Sequence, residues 1–333
     1  MKPVSTPGAH YNEPSGAMIS ARVTPKKNKS KFPRKFGEEL QNLPKQKKTP
    51  PVLSTEDKQE MERLSTTDSV TSIETMQTVK KYQEAILQNL IEREKLYKLD
   101  KDFLEAQTEI NTKMRAILVD WLVEISVKFR FKPILIFKTV NLIDRFLAKE
   151  SVKQADLQLL GVACFAINAK VEEIYPPLME KYIHVCANAY RKKELLAMEA
   201  KILETVDFDL HQTSSYSYLM MLSQKIEIEP KPFAFIHYIL ETCLLESSIS
   251  RFSNLTTACG AIFLTSKIFK CGNWLPDLLR LTGANEKEIK LCAKEIFFCM
   301  KKIDASSLNS IKKKFVSEKY YSVSKFRIEN QKK

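Results

Sequence analysis

The sequence predicts an all-α protein, and its scarcity of chain-breaking residues is the first reason. The 333 residues include 7 glycines and 14 prolines, and residues 56–333 hold only 4 of those glycines and 6 of those prolines. A β-sandwich of this size needs many glycine-rich turns, and a nucleotide-binding α/β fold needs a glycine loop after a strand. Neither pattern is present, so helices are the favoured regular structure.

Apolar residues at helical spacing are the second reason. Within residues 112–131 they recur at i, i+3, i+4, i+7, i+8 and i+11, and Asn111 or Thr112 is a suitable N-cap. Four further periodic segments follow, at residues 134–147, 155–170, 178–185 and 192–206. The pattern then restarts with five more segments, at residues 214–226, 231–246, 254–269, 275–281 and 286–303. We therefore predict ten helices in two sets of five.

The two sets are similar enough to predict a tandem repeat. Shifting the first set by 97 residues places Gly161 on Ala258 and Ala163 on Gly260, in the third helix of each set. Small residues there would let neighbouring helices approach a central helix closely. The predicted organisation is a tail (1–74), an N-terminal helix and linker (75–111), a first five-helix domain (112–211) and a second one with a closing segment (212–333).

The N-terminal tail is basic and rich in proline. Residues 1–55 carry 11 Lys and Arg against 3 Asp and Glu, within a formal net charge of +13 for the chain. Few apolar residues and a high net charge predict disorder. Basic runs at residues 26–31, 34–35 and 45–48 are similar to nuclear import signals, although such an arm could equally serve nonspecific electrostatics. Thr24, followed by Pro25, is a candidate site for a proline-directed kinase.

Residue patterns typical of catalysis or metal binding are missing. The four histidines lie on separate segments without ligand spacing, and the seven cysteines show no C-x-x-C pair. Adjacent Glu172 and Glu173 would point in different directions on a helix. We expect no enzyme, cofactor or metal. No apolar run reaches the ~18 residues of a membrane span, and no secretory signal is apparent, so an intracellular protein is expected.

One segment is more specific than a general amphipathic helix. Residues 114–124 read MRAILVDWLVE, followed at residues 143–147 by IDRFL, at 157–161 by LQLLG, at 170–177 by KVEEIYPP and at 208–210 by FDL. These segments, with a closing stretch at 314–324, resemble the cyclin box of A- and B-type cyclins over residues 75–325. The resemblance implies the two-domain cyclin fold. It also implies a regulatory subunit that activates a cyclin-dependent serine/threonine kinase during the cell cycle, with G2/M favoured, in nucleus and cytoplasm.

The resemblance also implies a kinase-binding surface. Lys170 and Glu199 match family positions that hydrogen-bond the kinase backbone, and both are expected to lie outside the buried core. Without the surrounding motifs, such a pair would be taken for ordinary solvated charges. Val171 stands where A- and B-type members commonly carry an aromatic residue. The residues assigned to this surface are Lys170, Val171, Glu172, Glu199, Leu203 and Phe208.

A second implied surface is a shallow groove that docks Arg-x-Leu motifs of substrates or inhibitors. Its residues would be Met114, Ile117, Leu118, Trp121, Glu124, Leu157 and Gln158. The alternative is that this stripe is core, the usual place for apolar residues at helical spacing. Gln154 replaces a basic residue that some members carry at the groove edge. Arg115 and Asp144 match a buried ion pair of the family, for which a structural role is expected.

The tail also contains a degenerate match to the mitotic destruction box, R-x-x-L-x-x-x-x-N. Arg34 and Asn42 have its outer spacing, but Gly37 stands where leucine is expected and Leu40 comes three residues late. A working box would make a ubiquitin ligase a further partner. Neither nucleic acid nor a membrane is expected as a direct partner.

Two other interpretations share the same fold. One is a transcription-initiation factor of the IIB type that binds promoter DNA and TATA-binding protein. That family normally carries an N-terminal zinc ribbon, and no cysteine precedes Cys164 here. The other is a scaffold that no longer activates a kinase, supported only by Val171 and Gln154.

Overall fold

A computed structural model describes residues 82–97 and 103–326, which form helices joined by short loops, with no strand among them. The helix α1 comes first, and five helices form each repeat before a short closing helix, α12. Their bounds are α1 Gln83–Glu94, α2 Thr112–Phe129, α3 Pro133–Lys149, α4 Leu157–Glu172, α5 Met179–Val185, α6 Lys192–Thr205, α7 Ser215–Lys225, α8 Pro230–Cys243, α9 Asn254–Phe269, α10 Leu275–Thr282, α11 Glu286–Asp304 and α12 Ser310–Phe315.

The all-α prediction is confirmed, and each of the ten predicted helices is present with ends within about three residues. The largest error is at the end of α8, which stops at Cys243. The N–H groups of Leu244 and Leu245 bond carbonyls three residues back, at Glu241 and Thr242, so the chain tightens there. The predicted tail lies outside the described residues, and so do Thr24 and the box residues Arg34, Leu40 and Asn42.

Each repeat is built around its third helix. In α4 every side chain from Leu159 to Ala169 is buried, as expected for a helix that is apolar on all sides. A methyl group added at Gly161 would lie 2.7 Å from Leu118 of α2. In the second repeat, a methyl group at Gly260 of α9 would lie 3.3 Å from the backbone nitrogen of Ala293 in α11. Glycine therefore permits the closest helix contacts at both centres.

Polar contacts join the two repeats and the flanking helices. The Asp120 carboxylate on α2 accepts hydrogen bonds from the backbone nitrogen and hydroxyl of Ser310, at 3.0 and 2.8 Å, and so holds the start of α12. Glu94, at the end of α1, accepts from the backbone nitrogen of Asn254 at the start of α9. The helix α1 is therefore fixed to the second repeat. None of the described helices is both long and apolar enough to cross a bilayer.

The closing segment is held by a buried charged cluster. Glu241 of α8 is fully buried, lies 2.8 Å from Nε2 of the His237 ring and forms an ion pair with Lys314 of α12. The rings of Tyr216 and Tyr320 lie 4.8 and 6.1 Å from that of His237. Burial lowers the pKa of His237, against the attraction of Glu241. Burial alone would raise the pKa of Glu241, but Lys314 and His237 together lower it.

This cluster predicts a pH-dependent stability. Because the pKa of folded His237 lies below its unfolded value of about 6.5, the unfolded chain binds the extra proton as pH falls through that value. The free energy of unfolding should therefore decrease between pH 7.5 and pH 5.5, measured by urea denaturation. The carboxylate of Glu241 titrates below this window. A His237→Gln variant should show a smaller decrease, and an equal decrease in both proteins would contradict the assignment.

Candidate functional site

Large apolar side chains are exposed where α4 and α6 end and in the segment between α4 and α5. They are 50 to 91% exposed, with Tyr175 the most accessible. We call this set the apolar face; it comprises Val171, Ile174, Tyr175, Leu178 and Phe208. Large apolar side chains that are this exposed are candidates for contact with a partner.

A charged pair lies beside the apolar face. The Lys170 ammonium of α4 donates hydrogen bonds to both carboxylate oxygens of Glu199 on α6, at 2.7 and 2.9 Å. The side chain of Lys170 is 50% exposed, whereas that of Glu199 is 7% exposed. The expectation that both charges lie outside the core is therefore wrong for Glu199. Its neighbours Leu195 and Ile202 face the core, and Lys170 supplies the counter-charge that its burial requires.

Glu172 and Glu173 anchor the end of α4 to α3. Glu172 forms an ion pair with Lys138, and its backbone carbonyl accepts a hydrogen bond from the Lys132 ammonium at 2.9 Å. The backbone nitrogen of Lys132 donates to the Glu173 carboxylate at 2.9 Å. Both acids thus serve internal contacts and fix the point from which Ile174 and Tyr175 project.

The backbone after α6 presents Phe208 to solvent. Asp207 and Phe208 have φ values of 54° and 55°, in the left-handed region that bulky residues rarely adopt. The Phe208 nitrogen donates to the Leu203 carbonyl at 2.8 Å, which closes the turn. Leu203 itself is half-buried. A left-handed conformation costs about 1–2 kcal/mol per non-glycine residue.

Tyr182 of α5 lies near the carboxylates of Glu199 and Glu173. It is buried, and its ring meets that of Phe129 edge-on at 5.8 Å. Burial raises the pKa of its hydroxyl, and the nearby Glu199 and Glu173 carboxylates add to that effect. Among the described residues its hydroxyl has no hydrogen-bond partner.

The stripe on α2 divides between core and surface. Leu118 and Trp121 are 6% exposed and Leu157 is 1% exposed, so these three side chains pack inside. Ile117 is 46% exposed, and Glu124 is also exposed. The remaining two predicted groove residues, Met114 and Gln158, are half-buried. Any docking surface here would consist of a narrow outer edge above a buried Trp.

Arg115 and Asp144 form a buried ion pair between α2 and α3. Two guanidinium nitrogens lie 2.6 Å from the two Asp144 oxygens, and the third donates to the Leu244 carbonyl at 2.8 Å. The contact with Leu244 extends the pair into the second repeat. Its geometry is that of a structural crosslink. No group of three His, Cys, Asp or Glu side chains among the described residues could hold a metal ion.

The sequence-based assignment of the kinase-binding surface did not include Ile174, Tyr175 and Leu178, which are the most exposed side chains of the apolar face. A signal was present: two apolar residues precede Pro176 and Pro177 in a segment too short for a helix.

Residues 85–211 match the family model for the cyclin N-terminal domain, and residues 213–329 match that for the cyclin C-terminal domain. The G2/mitotic-specific cyclin-B of Hydra vulgaris is 31% identical over 223 residues, which are 67% of this chain and 62% of that protein. The G2/mitotic-specific cyclin-A of Hydra viridissima is 33% identical over 248 residues, or 73% of this chain and 59% of that protein. The chain therefore spans about three fifths of the length of these relatives.

Two solved structures share the fold. A viral cyclin from herpesvirus saimiri superimposes with a TM-score of 0.59 and 22% identity, covering 68% of this chain and 99% of that one. A chain of the yeast RNA polymerase II CTD kinase CTDK-1 complex gives a TM-score of 0.52 and 14% identity, covering 66% and 74%. At these identities the likeness concerns the fold alone.

Proposed function

The chain belongs to the cyclin family, and we propose that it is a regulatory, non-catalytic subunit that binds and activates a cyclin-dependent serine/threonine kinase in the cell cycle, at G2/M. The main observation behind this proposal is the apolar face, which lies beside the Lys170–Glu199 ion pair. The mitotic names of the related cyclins support the assignment to G2/M.

The physical basis is stabilisation of an active kinase conformation. A protein kinase transfers phosphate rapidly only when the glutamate of its mobile helix C pairs with a strand lysine. A rigid surface that packs against that helix shifts the population toward the competent arrangement. The apolar face would supply the buried contact area, and Lys170, half exposed, retains donor capacity for a kinase carbonyl. Leu203 and Phe208 would extend the apolar part.

The partner can be identified by a pull-down from cell extract followed by a histone kinase assay. The tagged full chain should retain a protein kinase and histone phosphorylation activity in the bound fraction. Retention of neither would refute the proposal, and retention of promoter-binding proteins instead would favour the factor-IIB-type alternative.

We extend the proposal to substrate recruitment through the outer edge of α2. Ile117 would contact the leucine of an Arg-x-Leu motif, and Glu124 would receive its basic residue. Replacing Trp121 is a poor test, because truncating a buried Trp costs roughly 3–5 kcal/mol of stability by itself.

An Ile117→Ala, Glu124→Gln variant should therefore slow phosphorylation of a substrate with an Arg-x-Leu motif by roughly tenfold, since one contact of each kind is removed. The measurement is kcat/KM for that substrate and for a short peptide without the motif. The short peptide should be unaffected, and a Val127→Ala variant on the same helix should leave both rates unchanged. Equal loss for both substrates would place these residues outside a docking groove.

We also propose that the tail controls where and when the protein is present, through import to the nucleus and recognition by a ubiquitin ligase. A protein truncated to begin at Thr75 should activate the kinase fully, yet persist through mitotic exit and lose nuclear enrichment. The motivation is the basic, proline-rich composition of residues 1–55. Half-life in synchronised cells is the measurement. Equal half-lives for the full-length and truncated proteins would place the degradation signal in the helical body.

A further inference from the structure

The outward face of α11 carries a regular stripe of lysine and apolar residues. The inner side of this helix is buried, from Ile289 through Ile303, and packs on α9 near Gly260. On the opposite side, the residues of the stripe are separated alternately by four and by three positions. This is the spacing of the apolar positions in a heptad repeat. We call this set the basic–apolar stripe; it comprises Lys287, Leu291, Lys294, Phe298 and Lys301.

The apolar members of the stripe are accessible to a partner. Leu291 is 50% exposed and Phe298 is 52% exposed, and the two are seven residues apart on the helix. Beside them, the Phe297 ring is partly covered by the Lys301 ammonium, 4.5 Å from its centroid. Phe297 and Phe298 meet edge-on, with ring centroids 6.0 Å apart, which limits the freedom of Phe298. No described segment of the chain covers this pair of side chains.

The charges of the stripe are not balanced within the helix. Three of the four acids of α11 have cationic partners: Glu286 with Lys290 at 2.6 Å, Glu295 with Arg251 at 3.0 Å and Asp304 with Lys312 at 3.0 Å. The fourth, Glu288, is exposed and lies outside the stripe. Among the described residues, no carboxylate forms an ion pair with Lys287 or Lys294. A partner with negative charge at these two positions would therefore find unpaired cations on either side of Leu291.

We propose that the basic–apolar stripe docks an acidic amphipathic helix from a partner protein. The partner helix would place apolar residues seven apart on Leu291 and Phe298, and Asp or Glu opposite Lys287 and Lys294. The stripe of a second copy would repel this one, since both are basic. An anionic membrane would receive only two apolar side chains, because the rest of the apolar surface of α11 is packed in the core. A protein helix is therefore the favoured occupant.

This proposal is independent of kinase activation. The stripe shares no residue with the apolar face and lies in the other repeat, so either site can fail while the other stands. A suitable probe is a synthetic, labelled peptide of about three heptads with Glu and Leu at the two seam positions. Its binding to the full chain is measured by fluorescence anisotropy. Comparison probes are a scrambled peptide of the same composition and vesicles of phosphatidylserine and phosphatidylcholine.

Two double variants test the surface, Lys287→Glu with Lys294→Glu and Leu291→Ala with Phe298→Ala. Each should weaken binding of the Glu/Leu peptide by about tenfold or more, because each removes one half of the interaction. A matched Val127→Ala, Lys128→Glu variant on α2 should bind as the unmodified chain does, and the scrambled peptide should bind far more weakly. The proposal is overturned by equal peptide binding in all variants, by equal binding of the scrambled peptide, or by stripe-dependent binding of vesicles without binding of the peptide.

Discussion

Replacing Ile174, Tyr175 and Phe208 with serine should remove most kinase binding while leaving the fold intact. These side chains are 81, 91 and 66% exposed, so their loss should change the free energy of unfolding by about 0.5 kcal/mol or less each. Large apolar residues at the centre of an interface cost roughly 2 kcal/mol or more each when truncated, so kinase affinity should fall at least about a hundredfold. Titration calorimetry with the purified kinase measures that affinity, and thermal unfolding checks the fold.

The matched control is the Leu291→Ala, Phe298→Ala variant. This variant also removes exposed apolar side chains, but from the surface of α11. It should bind and activate the kinase normally. If the control and the triple variant lose kinase affinity equally, the effect is a general one of surface change, and the apolar face loses its assignment.

Arg115→Ala should give a large loss of stability. The substitution leaves the Asp144 carboxylate buried without its cation and leaves the Leu244 carbonyl without its donor. Breaking a buried ion pair in this way costs about 3–5 kcal/mol. A loss of 1 kcal/mol lowers the melting temperature of a protein of this size by about 2–4 °C, so the melting temperature should fall by roughly 6 to 20 °C. Urea denaturation gives the corresponding free energy.

The paired variant Arg115→Met, Asp144→Leu separates the charge from the packing. Replacing both partners by apolar residues of similar size removes the desolvation cost of both ions, so much of the lost stability should return. If Arg115→Ala costs less than about 1 kcal/mol, the pair is not the crosslink that its geometry indicates. Kinase activation per folded molecule should be unchanged in both variants.

The sequence was most informative where a helix buries one face against a core. Periodic apolar residues and a low glycine count predicted ten helices, and α9 was predicted with both ends correct. The short helix α12 was not predicted, because a six-residue segment with three lysines shows no apolar period. It forms because the Asp120 carboxylate on α2 accepts hydrogen bonds at its start. That contact joins residues 190 positions apart and leaves no local signal.

Sequence motifs indicated which residues form the candidate site, but they did not predict the burial of Glu199 or the backbone conformation that exposes Phe208. A glutamate on a helix is normally taken for a surface residue, and only the distant Lys170 makes the burial of Glu199 tolerable. The outward direction of Phe208 depends on a left-handed backbone at two non-glycine residues, which residue preferences would not suggest. Both features arise from tertiary contacts rather than from local sequence.

Reconstitution with a purified kinase tests the central claim most directly. An unphosphorylated, monomeric cyclin-dependent kinase is mixed with increasing concentrations of the full chain, and the initial rate of histone phosphorylation is measured. The proposed function predicts a rate that rises from near zero to a plateau as the complex forms, and no such rise with the Ile174→Ser, Tyr175→Ser, Phe208→Ser variant. Formation of a stable complex without any increase in rate, for each mitotic kinase tried, would contradict it.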